Sequence, residues 1–276
     1  MLTLISPMLA SNAFKFAIEK ATPEGKTTIG VLFILSMFSW TIIITKFRQL
    51  WIARRASKKF YAAYAATRDP LDIHRRGEEF DGAPAYQLYV RGTEEVAYHL
   101  KNNPVEVRAV VIHSTGEGNT DQFARVHTTK ISSASFEAAK VVLEESAAAQ
   151  AMSLEKGMIV LSTAVAGGPF IGLLGTVWGV METFAGIAAA GQASLTAMAP
   201  GVAGALIATV VGLLVAIPAM FAYNFMVTTI RHITQELDGF ASRYANQIEH
   251  TYVDNRGIED KIAGALLRHE QETVRR

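Results

Sequence analysis

Two hydroxyl groups and one carboxylate lie in the most apolar part of this chain, where polar groups are costly. Thr176, Thr209 and Glu182 fall between residues 157 and 230, and Glu182 is the only charged side chain in that stretch. A carboxylate in such surroundings indicates either a functional role or a structural ion pair. A threonine there either bonds back to its own helix or faces a partner or a water-filled gap. Such groups can bind a proton or form hydrogen bonds. For Glu182 the functional and the ion-paired interpretations both stay open, and so do the two interpretations of each threonine.

The charged residues are segregated along the chain. Hydrophobic residues make up 50% of the sequence and charged residues 18%, yet nearly all the charges lie in 46–156 and 231–276. A soluble domain distributes its charges over its whole surface, whereas this pattern indicates two different solvents. The chain is therefore predicted to be a membrane protein.

Three segments are long and apolar enough to cross a bilayer as helices. Residues 28–45 form an uncharged run of about the right length, and 158–188 and 200–224 form two more. Lys46, Arg48, Arg54 and Arg55 follow the first span, so the positive-inside rule places that side in the cytoplasm. The loop at 189–199 is short and uncharged, which fits the periplasm. The prediction is an all-α integral membrane protein with three transmembrane helices, the N-terminus outside and the C-terminus inside.

The segments outside the spans are also predicted to be helical. Residues 1–27 are interpreted as mature protein that contains a periplasmic amphipathic segment, broken at Pro23 and Gly25; a frayed tail is the alternative. Its apolar residues at helical spacing are Phe14, Ala17, Ile18 and Ala21. Residues 46–157 are expected to be a cytoplasmic helical region, and 225–276 a cytoplasmic tail that continues the third span. The apolar stripe of that tail consists of Ile233, Leu237, Phe240, Tyr244 and Ile248.

The second and third spans are rich in small residues at helical spacing. These are Gly168, Gly172, Gly175 and Gly179 in one span, and Gly204, Ala208 and Gly212 in the other. Small residues let helix backbones approach closely, which drives helix association where hydrophobicity does not. These two helices are therefore expected to pack on protein rather than to face lipid.

Several functional classes are excluded by what the sequence lacks. It contains no GxxxxGK[ST], no GxGxxG after a strand, no GxSxG and no HExxH, so no cofactor, metal site or enzymatic activity is predicted. The absence of cysteine rules out disulfides and thiolate metal sites, and the net charge of +1 argues against nucleic-acid binding.

Two stretches carry a family resemblance. GGPFIGLLGTVWGVMETF and LTAMAPGVAGALIATVVGLLVAIPAMFAYN resemble the signature of the ExbB/TolQ/MotA proton-channel family, most closely its ExbB/TolQ branch. The resemblance is dense over residues 154–226. It implies a bacterial inner-membrane homopentamer whose second and third spans line a pore around a dimer of ExbD- or TolR-like subunits. Each of those partners has one span with a membrane aspartate, and the complex uses the proton motive force to energise a TonB- or TolA-like protein.

The resemblance also assigns roles to individual residues. Thr176 and Thr209 match the family's pore threonines, and Glu182 and Thr183 are expected to lie on the same proton pathway. The ExbB/TolQ pattern usually has a glutamate where this chain has Gly204, and a neutral polar residue where it has Glu182. One hypothesis is that the acid has moved from the third span to the second; the alternative is an interfacial or ion-paired Glu182.

Two other functions remain open. The family's motifs do not separate this interpretation from a MotA-like flagellar or gliding motor stator, for which sodium is an alternative driving ion. A membrane scaffold that assembles helices without conducting ions is the alternative from a different functional class. Such a scaffold predicts that Thr176 and Thr209 tolerate alanine.

Overall fold

The computed structural model describes residues 23–113, 122–191 and 194–254. These residues form an all-α fold with one short antiparallel pair of strands. The elements in chain order are α1 (Pro23–Ala65), α2 (Asp72–Arg76), α3 (Pro84–Asn102), β1 (Val105–His113), β2 (Gln122–Lys130), α4 (Ser133–Glu155), α5 (Met158–Ala190) and α6 (Leu195–Tyr252).

The described residues divide into two compact units. The first, here called the spanning unit, comprises 23–50 and 155–230, and the second, the aromatic unit, comprises 51–154 and 231–254. Helices α1 and α6 contribute residues to both. The chain therefore passes from one unit to the other twice within the interior of a continuous helix, once in α1 and once in α6.

Three helices are long and apolar enough to cross a membrane, namely α1, α5 and α6. Each extends beyond its predicted apolar run, because the backbone hydrogen bonds of a helix are satisfied internally in lipid and in water alike. Helix α1 begins at Pro23, and Gly25 lies within its first turn without interrupting it, so the break predicted at Gly25 is wrong. The segment that was predicted to end at Pro23 lies outside the described residues. Proline is tolerated in the first turn, where its missing N–H has no helical partner. The amphipathic stripe predicted at Phe14, Ala17, Ile18 and Ala21 lies outside the described residues.

The strands are a feature that the sequence analysis missed. It expected mostly helix over residues 46–156, but β1 and β2 pair there in an antiparallel register from Val105 opposite Lys130 to His113 opposite Gln122. The β-branched residues of β1 could have indicated a strand, since valine and isoleucine favour extended backbone. They are Val105, Val107, Val110, Val111 and Ile112.

The aromatic unit is built on rings contributed by α1, α3 and α6. Phe60, Tyr89, Phe240 and Tyr244 are almost completely buried, and the ring centroids of Phe60 and Phe240 lie 5.3 Å apart in an edge-to-face arrangement. The predicted stripe of the tail is confirmed, because α6 continues to Tyr252 and all five of its apolar residues are buried.

The C-terminal end of α6 is held by two neighbouring segments of the same unit. The Ile131 N–H donates to the Tyr252 carbonyl at 2.8 Å, and the Asp254 N–H donates to the Ile131 carbonyl at 3.1 Å. The Tyr252 hydroxyl donates to the Asp69 carboxylate at 2.8 Å. Backbone and side-chain hydrogen bonds therefore tie the helix end to the residue that follows β2 and to the segment that precedes α2.

Candidate functional site

Helices α5 and α6 pack antiparallel through their small residues. A Cβ added at Gly179 would lie 2.8 Å from Ala205 Cβ, and one added at Gly168 would lie 3.1 Å from the Gly212 carbonyl oxygen. At Gly172 the added carbon would lie 2.9 Å from the Ala208 carbonyl oxygen. Backbone therefore contacts backbone, and no side chain larger than hydrogen fits at these positions without a shift.

The same glycine face also receives α1. A Cβ at Gly175 would meet Ala208 Cβ at 2.7 Å and Thr28 Cγ2 at 2.9 Å, so this residue lies against both neighbouring helices. Ala208 is completely buried, and Gly204 is buried one turn away on α6. The interface is a three-helix contact rather than a simple pair.

Thr176 and Thr209 are brought together by this packing. Their hydroxyl oxygens lie within hydrogen-bonding distance of each other across the α5/α6 interface. Thr176 Oγ1 also lies 3.2 Å from the Gly172 carbonyl oxygen and 3.3 Å from that of Ala205, and Thr209 Oγ1 lies 3.2 Å from the Gly172 carbonyl oxygen. The pair therefore bonds both within and across the two helices.

Proton counting shows what this pair can do chemically. Each hydroxyl has one proton to donate and two lone pairs to accept with. One hydroxyl donates to the other, and the second donates to one of the carbonyls of Gly172 or Ala205. Lone pairs on Thr176 and Thr209 remain unused, and both side chains are half-buried rather than sealed. The pair can accept a hydrogen bond from a protonated acid or from water while remaining uncharged itself.

Thr183 and Glu182 lie further along α5, away from the threonine pair. The Thr183 hydroxyl donates to the Gly179 carbonyl at 2.7 Å and lies against Gly201 of α6. Glu182 Oε2 is buried and has no hydrogen-bond partner among the residues that the structure describes. Glu182 is six residues from Thr176, or about 9 Å along the axis. The structure therefore does not bring the carboxylate into contact with the two hydroxyls.

The helix register relates Glu182 to the glycine at the family's acidic position. Since Gly179 lies against Ala205 and Thr183 against Gly201, Glu182 is level with a position about two residues from Gly204. At 1.5 Å per residue the two positions differ in depth by about 3 Å. A carboxylate at either position would lie in nearly the same layer of the helix pair.

Sequence reasoning missed the part that α1 plays in this region. The sequence predicted helix packing for the second and third spans only, yet Leu32 and Ser39 of α1 are buried and Thr28 packs on Gly175. Glu24, one turn before Thr28, also has a buried Oε2 without a hydrogen-bond partner in the described part of the chain. The sequence signal for this packing was a set of small and polar residues on one face of α1. Gly25 and Thr28 are three residues apart, and Ser39 follows Thr28 by eleven residues, or about three turns.

Comparisons with known proteins agree with one another. The sequence model of the MotA/TolQ/ExbB proton channel family matches residues 117–239. Biopolymer transport protein ExbB of Xanthomonas campestris pv. campestris is 32% identical over 209 residues, covering 74% of this chain and 78% of the relative. Tol-Pal system protein TolQ of Haemophilus influenzae is 28% identical over 229 residues, covering 82% and 89%. TolQ of Pseudomonas aeruginosa is 52% identical over 71 residues, covering 26% and 31%.

Proposed function

Because this chain belongs to the MotA/TolQ/ExbB proton channel family, in its ExbB/TolQ branch, we propose that it is the channel subunit of a proton-driven motor in the bacterial inner membrane. The observation that carries the proposal is the Thr176–Thr209 hydroxyl pair between two helices whose apolar stretches hold one charged residue, Glu182. The family is of the channel type, and we propose no enzymatic activity and no cofactor. Among the described residues no three potential ligands are grouped to hold a metal ion.

The proposed assembly is a homopentamer in which α5 and α6 of each copy surround a central pore. Inside the pore we place a dimer of ExbD- or TolR-like subunits, each with one span and a membrane aspartate, and the client is a TonB- or TolA-like protein. The basic residues after the first span orient the chain in the lipid with its N-terminus in the periplasm. The motor would drive outer-membrane transport or envelope maintenance.

The threonine pair would act on the partner's acid without changing its own charge. A carboxylic acid is costly to ionise in apolar surroundings, so its proton transfer has a high barrier unless both the acid and the carboxylate are solvated. Hydroxyls solvate both forms, because their unused lone pairs accept from the carboxylic acid, and the proton now given to the Gly172 or Ala205 carbonyl can rotate to the carboxylate. Thr176 and Thr209 would repeat this environment around the ring, and the proton would move past each copy in turn.

Glu182 and Thr183 are assigned to the outer end of the same pathway. The buried and unpaired Oε2 of Glu182 supports this role, since a carboxylate oxygen without a partner is available to a proton or to a donor from another chain. Its depth near Gly204 supports the hypothesis that the family's acid has moved to α5. Glu182→Gln tests it: if transport driven by the proton motive force is unimpaired while Thr209→Ala abolishes it, the acid has not been relocated.

Conservative and non-conservative changes at Thr209 test the main proposal. Thr209→Ala removes the hydroxyl, and we expect it to abolish transport driven by the proton motive force, whereas Thr209→Ser keeps the hydroxyl and retains most of it. Thr163→Ala is the matched control, because Thr163 is an exposed threonine of α5 that donates only to the carbonyl of Ile159, at 2.8 Å. Proton flux into proteoliposomes that contain the purified complex is the direct measurement.

The alternatives predict different results in the same assay. A scaffold that does not conduct ions predicts that Thr176→Ala and Thr209→Ala transport normally, and that no single-span partner copurifies. A MotA-like, sodium-driven stator predicts flux that follows the sodium gradient and persists when the proton gradient is collapsed. Either result would overturn the proposal.

A further inference from the structure

A polar groove runs between helices α3 and α4 of the aromatic unit. It encloses about 720 Å³, and its ionised lining residues are four carboxylates, Glu79, Asp81, Glu94 and Glu145, and one cation, Arg91. Gln150 Nε2 donates to Gln87 Oε1 at 2.8 Å, so the two helices are tied together beside the opening. The groove is therefore a shaped surface of negative charge.

The negative charge of this groove is not compensated by close ion pairs. None of its four carboxylates lies within salt-bridge distance of a cation in the part of the chain that the structure describes. Their field acts on Tyr86 in the lining: burial and the charges of Glu79 and Asp81 raise the pKa of its hydroxyl. A cationic ligand would relieve this repulsion.

The exposed face of α1 in the same unit has the opposite charge. Arg54, Arg55, Lys58 and Lys59 are all exposed, while Ala53, Ser57 and Phe60 on the other side of the helix are buried. No salt bridge joins any of these four cations to the described acidic residues. The aromatic unit therefore exposes one basic surface and one acidic groove.

Part of this basic face is compensated within its own chain. Arg55 and Lys59 face Glu79 and Asp81 across a smaller cavity of about 280 Å³. Arg54 and Lys58 do not line that cavity, and neither do Glu94 and Glu145 on the acidic side. One chain thus leaves Arg54 and Lys58, which are one helical turn apart, and a groove in which Glu94 and Glu145 are opposed, among the described lining residues, by Arg91 alone.

We propose that the acidic groove of one copy receives the Arg54–Lys58 edge of helix α1 from a neighbouring copy. The occupant is a second copy because charge complementarity is present within this one chain: the groove is negative, with four carboxylates against Arg91, and the Arg54–Lys58 edge is positive. Two different surfaces in contact form a heterologous interface, which closes into a ring when the rotation between copies allows it. The inference rests on the homo-oligomer proposed above and adds the surface through which its aromatic units meet.

Cysteine cross-linking tests this contact directly, because the chain contains no cysteine. Two full-length chains with different tags, one with Arg54→Cys and one with Glu94→Cys, are co-expressed and the assembly is treated in membranes with a short bismaleimide. We expect a cross-linked heterodimer at least about tenfold above the level with Ser242→Cys in place of Glu94→Cys, since cross-linking needs close approach. Ser242 is exposed on α6 and lies outside the acidic groove.

Charge reversal separates a specific contact from chance collision. Lys58→Glu added to the first chain, or Glu145→Lys added to the second, should each lower the cross-linked yield about fivefold, as expected for loss of roughly 1 kcal/mol. The two reversals together should restore it. Equal yields in all four combinations would overturn the inference.

Other outcomes distinguish this inference from the proposed function. If native mass spectrometry shows the assembled ring and no heterodimer forms, the inference is wrong while the function stands. If the chain is monomeric, the proposed assembly fails first. The double variant Arg54→Glu with Lys58→Glu tests whether the basic edge binds lipid instead. If it abolishes binding of the purified protein to vesicles of anionic lipid and leaves cross-linking between copies unchanged, the edge binds the membrane and the inference is again wrong.

Discussion

The spanning unit packs its helices through the smallest side chains, and the aromatic unit packs its helices through some of the largest. Where α5 meets α6, the contacts are Gly172 with Ala208 and Gly179 with Ala205, so the backbones themselves are packed. Where α1, α3 and α6 meet in the aromatic unit, the contacts are rings such as Phe60 and Phe240. In water, large apolar side chains stabilise a fold by leaving the solvent. In lipid that gain is absent, and close approach between backbones replaces it.

The two units also treat polar groups differently. In the spanning unit two hydroxyls, Thr176 and Thr209, share bonds with helix carbonyls and keep unused lone pairs. In the aromatic unit the Thr93 hydroxyl is completely buried against the Tyr244 hydroxyl at 2.5 Å. The first arrangement leaves room for a further ligand and the second does not. The difference supports a conducting role for the first unit and a structural role for the second.

Removal of a ring is expected to have the largest effect, and to act on the aromatic unit. Phe240 is 1% exposed and touches Phe60, Tyr61, Tyr64 and Tyr244, so Phe240→Ala leaves a cavity that costs about 3–5 kcal/mol. We expect amide hydrogen exchange in α3 to accelerate by more than a hundredfold, because that cost exceeds the energy of two tenfold steps. Tyr98→Ala, at a tyrosine of α3 that is 56% exposed, is the control and should change exchange little.

If the two units are energetically separate, Phe240→Ala should destabilise the aromatic unit and leave the spanning unit unchanged. Slow exchange in α5 should therefore persist in this variant. If α5 and α3 lose protection together, the two units unfold as one, and the division between them has no energetic meaning.

Addition of a single carbon is expected to have the next largest effect, and to act on the spanning unit. A Cβ at Gly172 would lie 2.9 Å from the Ala208 carbonyl oxygen and 3.0 Å from Thr209 Cα, and backbone atoms there cannot yield cheaply. Gly172→Ala should cost about 1–3 kcal/mol, the usual penalty of overpacking. The thermal midpoint of the purified protein in detergent, followed by circular dichroism, measures it.

The matched control is Gly167→Ala in the same helix. A Cβ at Gly167 meets nothing within 4 Å, so the same substitution should be neutral or slightly stabilising there, since alanine favours helix over glycine. Equal loss of stability at both positions would show that the spanning unit does not depend on close packing of α5 against α6.

The parts of the fold that the sequence predicted are those that depend on local pattern. The spacing of Gly168, Gly172 and Gly179 identified the packing face of α5, and the spacing of Ile233 and Leu237 identified the continuation of α6. Periodicity assigns a residue to a helix face, whatever the partner is. The strand pair was missed because β1 and β2 are flanked by helical sequence, and apolar and polar residues alternate in β1 only over residues 105–108.

The candidate site was predicted in its residues but not in its geometry. Thr176 and Thr209 stood out as hydroxyls in apolar helices, but their pairing depends on the register between α5 and α6, which no local pattern contains. Glu182 stood out for its charge, and its distance from the pair follows from the rise of the helix. The role of Thr28 in α1 was missed because it requires the position of a third helix.

Acidification is expected to change stability less than either substitution, and it acts on a polar cluster of the aromatic unit. Burial alone would raise the pKa of Asp69, but hydrogen bonds from the Leu71 N–H, the Tyr252 hydroxyl and the Arg75 guanidinium hold its pKa below the ordinary value. A carboxyl whose pKa is lower in the folded state stabilises the fold above its unfolded pKa of about 4, and this contribution is lost as pH falls.

Asp69→Asn should therefore flatten the dependence of stability on pH between about 5 and 3, where the unfolded carboxyl of the wild type binds its proton first. Hydrogen exchange at the last turn of α6, which Tyr252 ties to Asp69, measures this locally as a function of pH. Asp81→Asn is the control, because Asp81 is exposed and forms no salt bridge with the described cations. Identical pH profiles for Asp69→Asn and the wild type would mean that the charge of Asp69 adds nothing to the other bonds that hold this helix end, such as those of Ile131 and Lys130.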